Sequence, residues 1–191
     1  MARGKTVPRP WRQSDLDKTC GIVSITNAIR LCVGTVVLGR QESVDLFADG
    51  AGYLLRRGFL KEILREGMGQ HEHLHLVHFL CRVLERRYAI RLKVNRPYRK
   101  RTKNIPITIV TEQLAEFLAV GGRAALCSFE TTEYSHYTTI RAVSRSSLLL
   151  SDGDHTRLPL KSCSTASSAH RHGYRYYIHT ESVIILSRDP L

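Results

Sequence analysis

The chain has 191 residues, of which 42% are hydrophobic and 24% charged, and its formal net charge is +12. This composition excludes a disordered or fibrous chain and suits one globular domain with a core of its own. The basic excess favours anionic partners in general, so an acidic partner stays open, while nucleic acid is disfavoured but not excluded.

The first part of the chain predicts mainly helices. Residues 1–19 are expected to form an irregular arm, because Pro8 and Pro10 oppose regular structure. From Cys20 to Cys32 apolar residues recur with helical spacing and cover most of the circumference, which is typical of a helix buried in the middle of a domain. Further helices are predicted at about 42–48, 52–65, 71–87 and 111–122.

The second part of the chain predicts mainly strands. Apolar and polar residues alternate at 90–94, and 123–129 is an apolar strand. Two hairpins follow, one from 136–143 and 147–152 joined at Ser144, the other from 173–179 and 182–188. Helices first and strands after predict an α+β fold with helices packed on an antiparallel sheet. We expect a single domain over 1–191, with an irregular arm (1–19), a mainly helical half (20–122) and a mainly β half (123–191).

The five cysteines are odd in number and widely spaced, with no CxxC pair, which argues against a disulfide framework or a zinc knuckle. Free cysteines in apolar patterns point to a reducing compartment. The basic N-terminus has no apolar core of a secretory signal, and no apolar run is long enough to span a bilayer. We therefore expect a cytoplasmic protein that does not engage a membrane.

Cys20 begins the predicted buried helix. There its thiol lies beside the unpaired backbone N–H groups of the first turn, which together with the helix dipole favour a thiolate. Gly21 removes side-chain bulk beside the sulfur. This is a position that suits a nucleophile, which also needs a base.

His136 and Asp152 are the candidate partners of Cys20. His136 opens one strand of the first predicted hairpin, and Asp152 ends the other, so the two side chains are expected to be near neighbours. Asp154 is a rival two residues later, beyond a glycine. Nucleophile, base and orienting carboxylate form a Cys–His–Asp arrangement. The backbone N–H of Cys20 can stabilise an oxyanion, and Gln13, the only amide side chain before Cys20, can supply a second donor.

The segments "RQSDLDKTCGIVSITNAI" and "SHYTTIRAVSRSSLLLSDGD" resemble the papain-like cysteine peptidases. The most similar branch is the peptidases that cleave double-glycine (bacteriocin) leader peptides, with their standalone bacterial relatives. The resemblance implies Cys20 as nucleophile, His136 as base, Asp152 as orienting residue and Gln13 as oxyanion donor. It also implies a helical half with a central cysteine-bearing helix, packed on an antiparallel sheet.

Three departures from that family pattern bear on these roles. Gln13 lies one position farther from Cys20 than is usual, and Tyr137 stands where the standalone relatives often have Trp. The transporter parts that often follow the leader-peptidase domain are not in this sequence, so a leader-peptide substrate is not implied.

The expected function is a thiol protease or related cysteine hydrolase that cleaves a peptide or isopeptide bond in a peptide or protein substrate, with no cofactor and no metal. The same triad can perform transglutamination, deamidation or acyl transfer, because the acyl-enzyme is common to all of these reactions. A different reading is a catalytically silent papain-like module that binds an acidic partner through its basic surface.

Two other features have simpler interpretations. His71, His75 and His78 share one face of a predicted helix with charged residues, so a solvated face is favoured over a metal site. The basic segment 96–106 is most simply a solvated loop, although Tyr98 within it leaves a stacking surface for nucleic acid open.

Overall fold

The computed structural model of the chain describes residues 18–99, 105–153 and 155–188. Within these ranges it has an α+β architecture, as predicted, with five helices and a seven-stranded sheet. The helices are α1 (Cys20–Val33), α2 (Arg40–Arg56), α3 (Leu60–Glu66), α4 (Gln70–Tyr88) and α5 (Ile107–Leu118). The strands are β1 (Leu92–Asn95), β2 (Arg123–Glu130), β3 (Ser135–Val143), β4 (Ser147–Leu150), β5 (Arg157–Pro159), β6 (Cys163–Ser164) and β7 (Tyr176–Arg188).

The strands follow the order β1-β7-β2-β3-β4-β5, and each neighbouring pair in that order is antiparallel. The short strand β6 pairs with β7 in parallel. The β3–β4 hairpin turns at Ser144, whose hydroxyl accepts a hydrogen bond from the backbone N–H of Ser147 at 3.0 Å. Serine favours turns because its side chain can bond nearby backbone in this way.

The sheet carries a hydrophobic core on each face, because alternate residues of β2 point to opposite sides. Leu126 belongs to the core beneath α1, α2 and α4, whereas Phe129 belongs to the core shared with α5. Helix α1 packs on β2, β3 and β7, and most of its residues are buried. The prediction of a helix enclosed in the middle of the structure is confirmed.

The prediction of one helix over 52–65 is wrong. Helix α2 runs on through this segment to Arg56, and α3 begins only at Leu60. Between them Gly58 has φ of +76°, a left-handed conformation that glycine adopts at little cost and that ends a right-handed helix.

The prediction of a second hairpin from 173–179 and 182–188 is also wrong. A single strand, β7, runs through both segments and pairs with β2 along its length. The Ser182 hydroxyl accepts from the Ser128 backbone N–H at 2.8 Å and donates to the His179 carbonyl at 2.6 Å. The β2–β7 register shifts at this point, and the two bonds of Ser182 satisfy backbone groups there. The strand therefore continues through an irregularity where the sequence pattern indicated a turn.

Tyr98 does not offer the stacking surface that the sequence left open beside the simpler interpretation as a solvated loop. Its side chain is buried, and its hydroxyl donates to the Gln113 side-chain oxygen at 2.9 Å. Tyr98 is therefore a core residue that joins its loop to α5. Of the described helices, none is both long enough and apolar enough to cross a membrane.

Candidate active site

Cys20 is the first residue of α1, so its thiol lies beside N–H groups that have no partner within the helix. The preceding Thr19 makes no side-chain capping bond to these groups. Gly21 lies against Met68, and a Cβ added at Gly21 would come within 2.7 Å of the Met68 sulfur. Only glycine therefore fits between α1 and the loop before α4 without displacing Met68.

Asp152 lies beside His136 because of the β3–β4 register. Ile140 is opposite Leu150, and the same register continued for two residues places Thr138 opposite Asp152. Asp152 Oδ2 accepts one hydrogen bond from Thr138 Oγ1 and one from His136 Nε2, each at 2.7 Å. All three side chains are largely removed from water, which strengthens both bonds.

Cys20 completes this arrangement, because it lines the same cavity as His136 and lies close enough to influence the pKa of the imidazole. Since Asp152 holds Nε2 of the imidazole, Nδ1 is the ring atom left to exchange a proton with the sulfur. Burial, the largest single influence, lowers the pKa of His136. The hydrogen bonds and charges of Asp152 and Cys20 together outweigh burial and raise that pKa to about 9. At neutral pH the ring is therefore an imidazolium.

Two aromatic side chains lie beside Cys20 and His136. Tyr137 is buried, stacks on the ring of His73 with 4.0 Å between ring centroids, and lines a small cleft together with Cys20 and His136. Phe129, which is fully buried, has its ring 5.4 Å from that of His136. Tyr137 and Phe129 therefore limit how much water reaches the two side chains.

A cavity of about 710 Å³ opens onto the sulfur and the imidazole. Its wall includes the loop before α4 on one side and the start of β3 on the other, so residues from both halves of the chain meet there. A cavity of this size accommodates several residues of an extended peptide.

The structure brings together three of the four predicted site residues: Cys20, His136 and Asp152. Gln13, the predicted oxyanion donor, and Asp154, the rival of Asp152, lie outside the described residues. Stabilisation of an oxyanion by the Cys20 backbone N–H stays a prediction.

Sequence reasoning missed Thr138, His73 and Gln70. Thr138 lies two residues after His136 on the same strand, so the alternation of side chains could have placed it on the same face. His73 is fully buried with neither ring nitrogen hydrogen-bonded, and burial lowers its pKa to about 3. Gln70 opens α4 and lines the cavity. No local signal distinguishes these two from their neighbours.

The other four cysteines are free and buried. Burial raises the pKa of the Cys81, Cys127 and Cys163 thiols to about 12 and also raises that of Cys32. These thiols therefore stay protonated and unreactive at neutral pH. On α4, the side chains of His71, His75 and His78 are exposed, as predicted. Among the residues described, no cluster of histidine, cysteine or carboxylate side chains could hold a metal ion.

Comparison of this chain with protein-family models, with curated proteins and with solved structures finds no match.

Proposed function

We propose that this protein is a papain-like cysteine hydrolase that cleaves a peptide or isopeptide bond. The observation that carries the proposal is the placement of Cys20 beside the hydrogen-bonded His136–Asp152 pair, at the edge of a large cavity. A structural cysteine needs none of these partners, whereas a nucleophile needs a proton acceptor and that acceptor needs orientation.

The proposed reaction begins with attack of the Cys20 sulfur on the substrate carbonyl carbon. The carbonyl oxygen becomes an oxyanion at the N-terminus of α1, where backbone N–H groups can stabilise it. The His136 imidazolium donates its proton to the leaving nitrogen, and the C–N bond breaks to leave a thioester and a free amine. Water then attacks the thioester while His136 accepts its proton, and the carboxylic acid leaves the sulfur.

Asp152 and Thr138 act through His136 in this scheme. The carboxylate holds Nε2 and stabilises the imidazolium, while Thr138 fixes the carboxylate oxygen that accepts both hydrogen bonds. The order of the segments supports a papain-like assignment. A helix bearing the cysteine comes first in the chain and packs on the antiparallel sheet that carries the histidine. No step requires a cofactor.

The test is alkylation by iodoacetamide, followed by peptide mass mapping. We expect one equivalent to react at Cys20 while Cys163, which is 1% exposed, stays unmodified. His136→Ala should slow the reaction of Cys20 at neutral pH, because the imidazolium no longer favours the thiolate. If Cys20 is alkylated no faster than Cys163 in the folded protein, the proposed chemistry is excluded.

Hydrolysis and acyl transfer share the thioester and differ only in the group that attacks it. Incubation with a peptide library, with and without added primary amine, separates them. New peptide termini indicate hydrolysis, whereas release of ammonia without cleavage indicates deamidation or transglutamination. Cys20→Ser is the matched control for each product.

A catalytically silent binding module is the second candidate function, and the net charge of +12 favours it. Such a module would bind an acidic peptide with an affinity that falls steeply as salt rises. That result together with an unreactive Cys20 would favour binding over catalysis.

A further inference from the structure

The cavity at Cys20 has the opposite charge balance from the rest of the protein. Glu66, Glu133 and Glu181 line it, and Lys18 is the one lysine or arginine in its described wall. The chain as a whole has a net charge of +12, so an excess of carboxylates in the wall of this cavity differs from the composition of the whole protein. An anionic wall in a cleft concentrates cations there.

None of these carboxylates pairs with a described lysine or arginine. Among the described residues, Glu66 and Glu133 have no salt-bridge partner. The Glu181 carboxylate lies 3.4 Å from the His179 ring, and Arg96 donates to the Glu181 backbone carbonyl rather than to its side chain. The charges are therefore available to a ligand.

The surroundings of Tyr137 agree with this sign. Burial is the main cause that raises the pKa of Tyr137, and Cys20 and the carboxylates of Glu72 and Glu181 raise it further. Of these two carboxylates, Glu181 belongs to the wall of the cavity.

Gln70 provides a second observation that points to a ligand. Its side chain lines the cavity, and its amide Nε2 is enclosed without a hydrogen-bond acceptor. A buried N–H group with no acceptor is unfavourable, so such groups are rare unless a ligand satisfies them. A peptide carbonyl is an acceptor of the right kind, and Cys20 needs a carbonyl to attack.

We infer that the substrate is a peptide with a lysine or arginine side chain near the reacting carbonyl, bound by Glu66, Glu133 and Glu181, with a backbone carbonyl that accepts from Gln70. This inference rests on the proposed function, because it names the substrate class of the same site. The overall basic surface predicts the opposite preference, so the two can be distinguished by experiment.

The test measures the charge preference of Cys20 with small methanethiosulfonate reagents of different charge. The thiolate attacks the reagent's sulfenyl sulfur, forms a mixed disulfide and releases methanesulfinate. Three reagents are compared: trimethylammonioethyl (cationic), sulfonatoethyl (anionic) and methyl (neutral). Each rate is divided by the rate of the same reagent with 2-mercaptoethanol, which removes differences in intrinsic reactivity.

We expect the normalised rate with the cationic reagent to exceed that with the anionic one by about tenfold. One or two net negative charges within about 10 Å of the sulfur produce a difference of this size at a nearly aqueous dielectric. The preference should decrease as salt is raised to 0.5 M. Glu66→Gln, Glu133→Gln and Glu181→Gln should each reduce it several-fold. Glu112→Gln, which removes an exposed carboxylate from α5, is the matched control and should leave it unchanged.

A second measurement uses the peptide itself. Two dipeptidyl chloromethyl ketones are compared, one ending in arginine and one in citrulline, which has nearly the same shape without the charge. We expect faster inactivation by the arginine compound, with the advantage lost in Glu133→Gln. Gln70→Ala should slow both compounds equally, because the carbonyl contact does not depend on the side chain.

The outcomes separate this inference from the proposed function. If the neutral reagent modifies Cys20 but the cationic one has no advantage, or the glutamine variants keep it, the substrate class is wrong and the nucleophile stands. Equal rates of inactivation by the arginine and citrulline compounds would likewise show that the substrate class is wrong while the nucleophile stands. If even the neutral reagent modifies Cys20 no faster than the buried cysteines, the proposed function fails and this inference fails with it.

Discussion

Replacing Asp152 with Asn tests how the imidazole is held in its charged state. The substitution keeps the size of the side chain and a carbonyl acceptor for Thr138, but it removes the negative charge 2.7 Å from His136 Nε2. Burial, which by itself lowers the pKa of His136, would then be opposed by Cys20 alone. We expect the pKa to fall from about 9 to 6.5 or below.

The magnitude follows from the position of that pKa. A value of about 9, against 6.5 for an ordinary histidine, corresponds to about 3 kcal/mol in favour of the protonated ring, since one pH unit is worth about 1.4 kcal/mol. Because the folded-state pKa is raised, this stabilisation is fully present below pH 6.5 and is lost as pH rises through 9. Asp152→Asn should remove most of it at pH 6 and much less at pH 9.5.

The assay combines NMR titration of the histidine rings with urea unfolding at the two pH values. Asp49→Asn is the matched control, because its carboxylate pairs with the exposed Arg87 at 2.7 Å, a contact worth at most about 1 kcal/mol. It should leave the His136 titration unchanged. A ring of His136 that still titrates near pH 9 in Asp152→Asn would refute the assignment of Asp152 as its electrostatic partner.

Three further substitutions test the surroundings of the site. Thr138→Val removes one hydrogen bond to the Asp152 carboxylate in a fully buried position, and we expect a loss of about 1.5–3 kcal/mol in urea unfolding that Thr138→Ser restores; an unchanged midpoint would contradict the contact. His73→Phe keeps the stack on Tyr137 and removes two unpaired ring nitrogens. Because burial lowers the pKa of His73 to about 3, the wild-type protein loses stability as pH falls from 6.5 to 3, so the variant should resist acid unfolding better, and equal acid midpoints would contradict this. Ser182→Ala breaks two buried bonds at the irregularity of β7 and should lower the unfolding free energy by about 1–3 kcal/mol without slowing alkylation of Cys20.

The parts of the site that could be predicted are those fixed by short-range patterns. The apolar surface of α1 indicated a buried helix and placed Cys20 at its start. Alternation along β3, together with the serine turn, brought His136 close to Asp152. The hairpin pairs Val143 with Leu148 and Ile140 with Leu150, so Thr138 rather than His136 lies opposite Asp152. The alternation and the turn therefore predicted that His136 and Asp152 lie close together, but not which residue lies directly opposite Asp152.

The sequence by itself determined the local elements, because helical and strand periodicity and turn chemistry depend on residues a few positions apart. Only the tertiary structure decided that β7 continues through Ser182, since Ser182 bonds Ser128 of β2, which lies 54 residues away along the chain. It alone stacks His73 on Tyr137 and gathers Glu66, Glu133 and Glu181 around one cavity. Such contacts are set by how helices pack on the sheet, and no periodicity along the chain encodes the distance between two remote side chains.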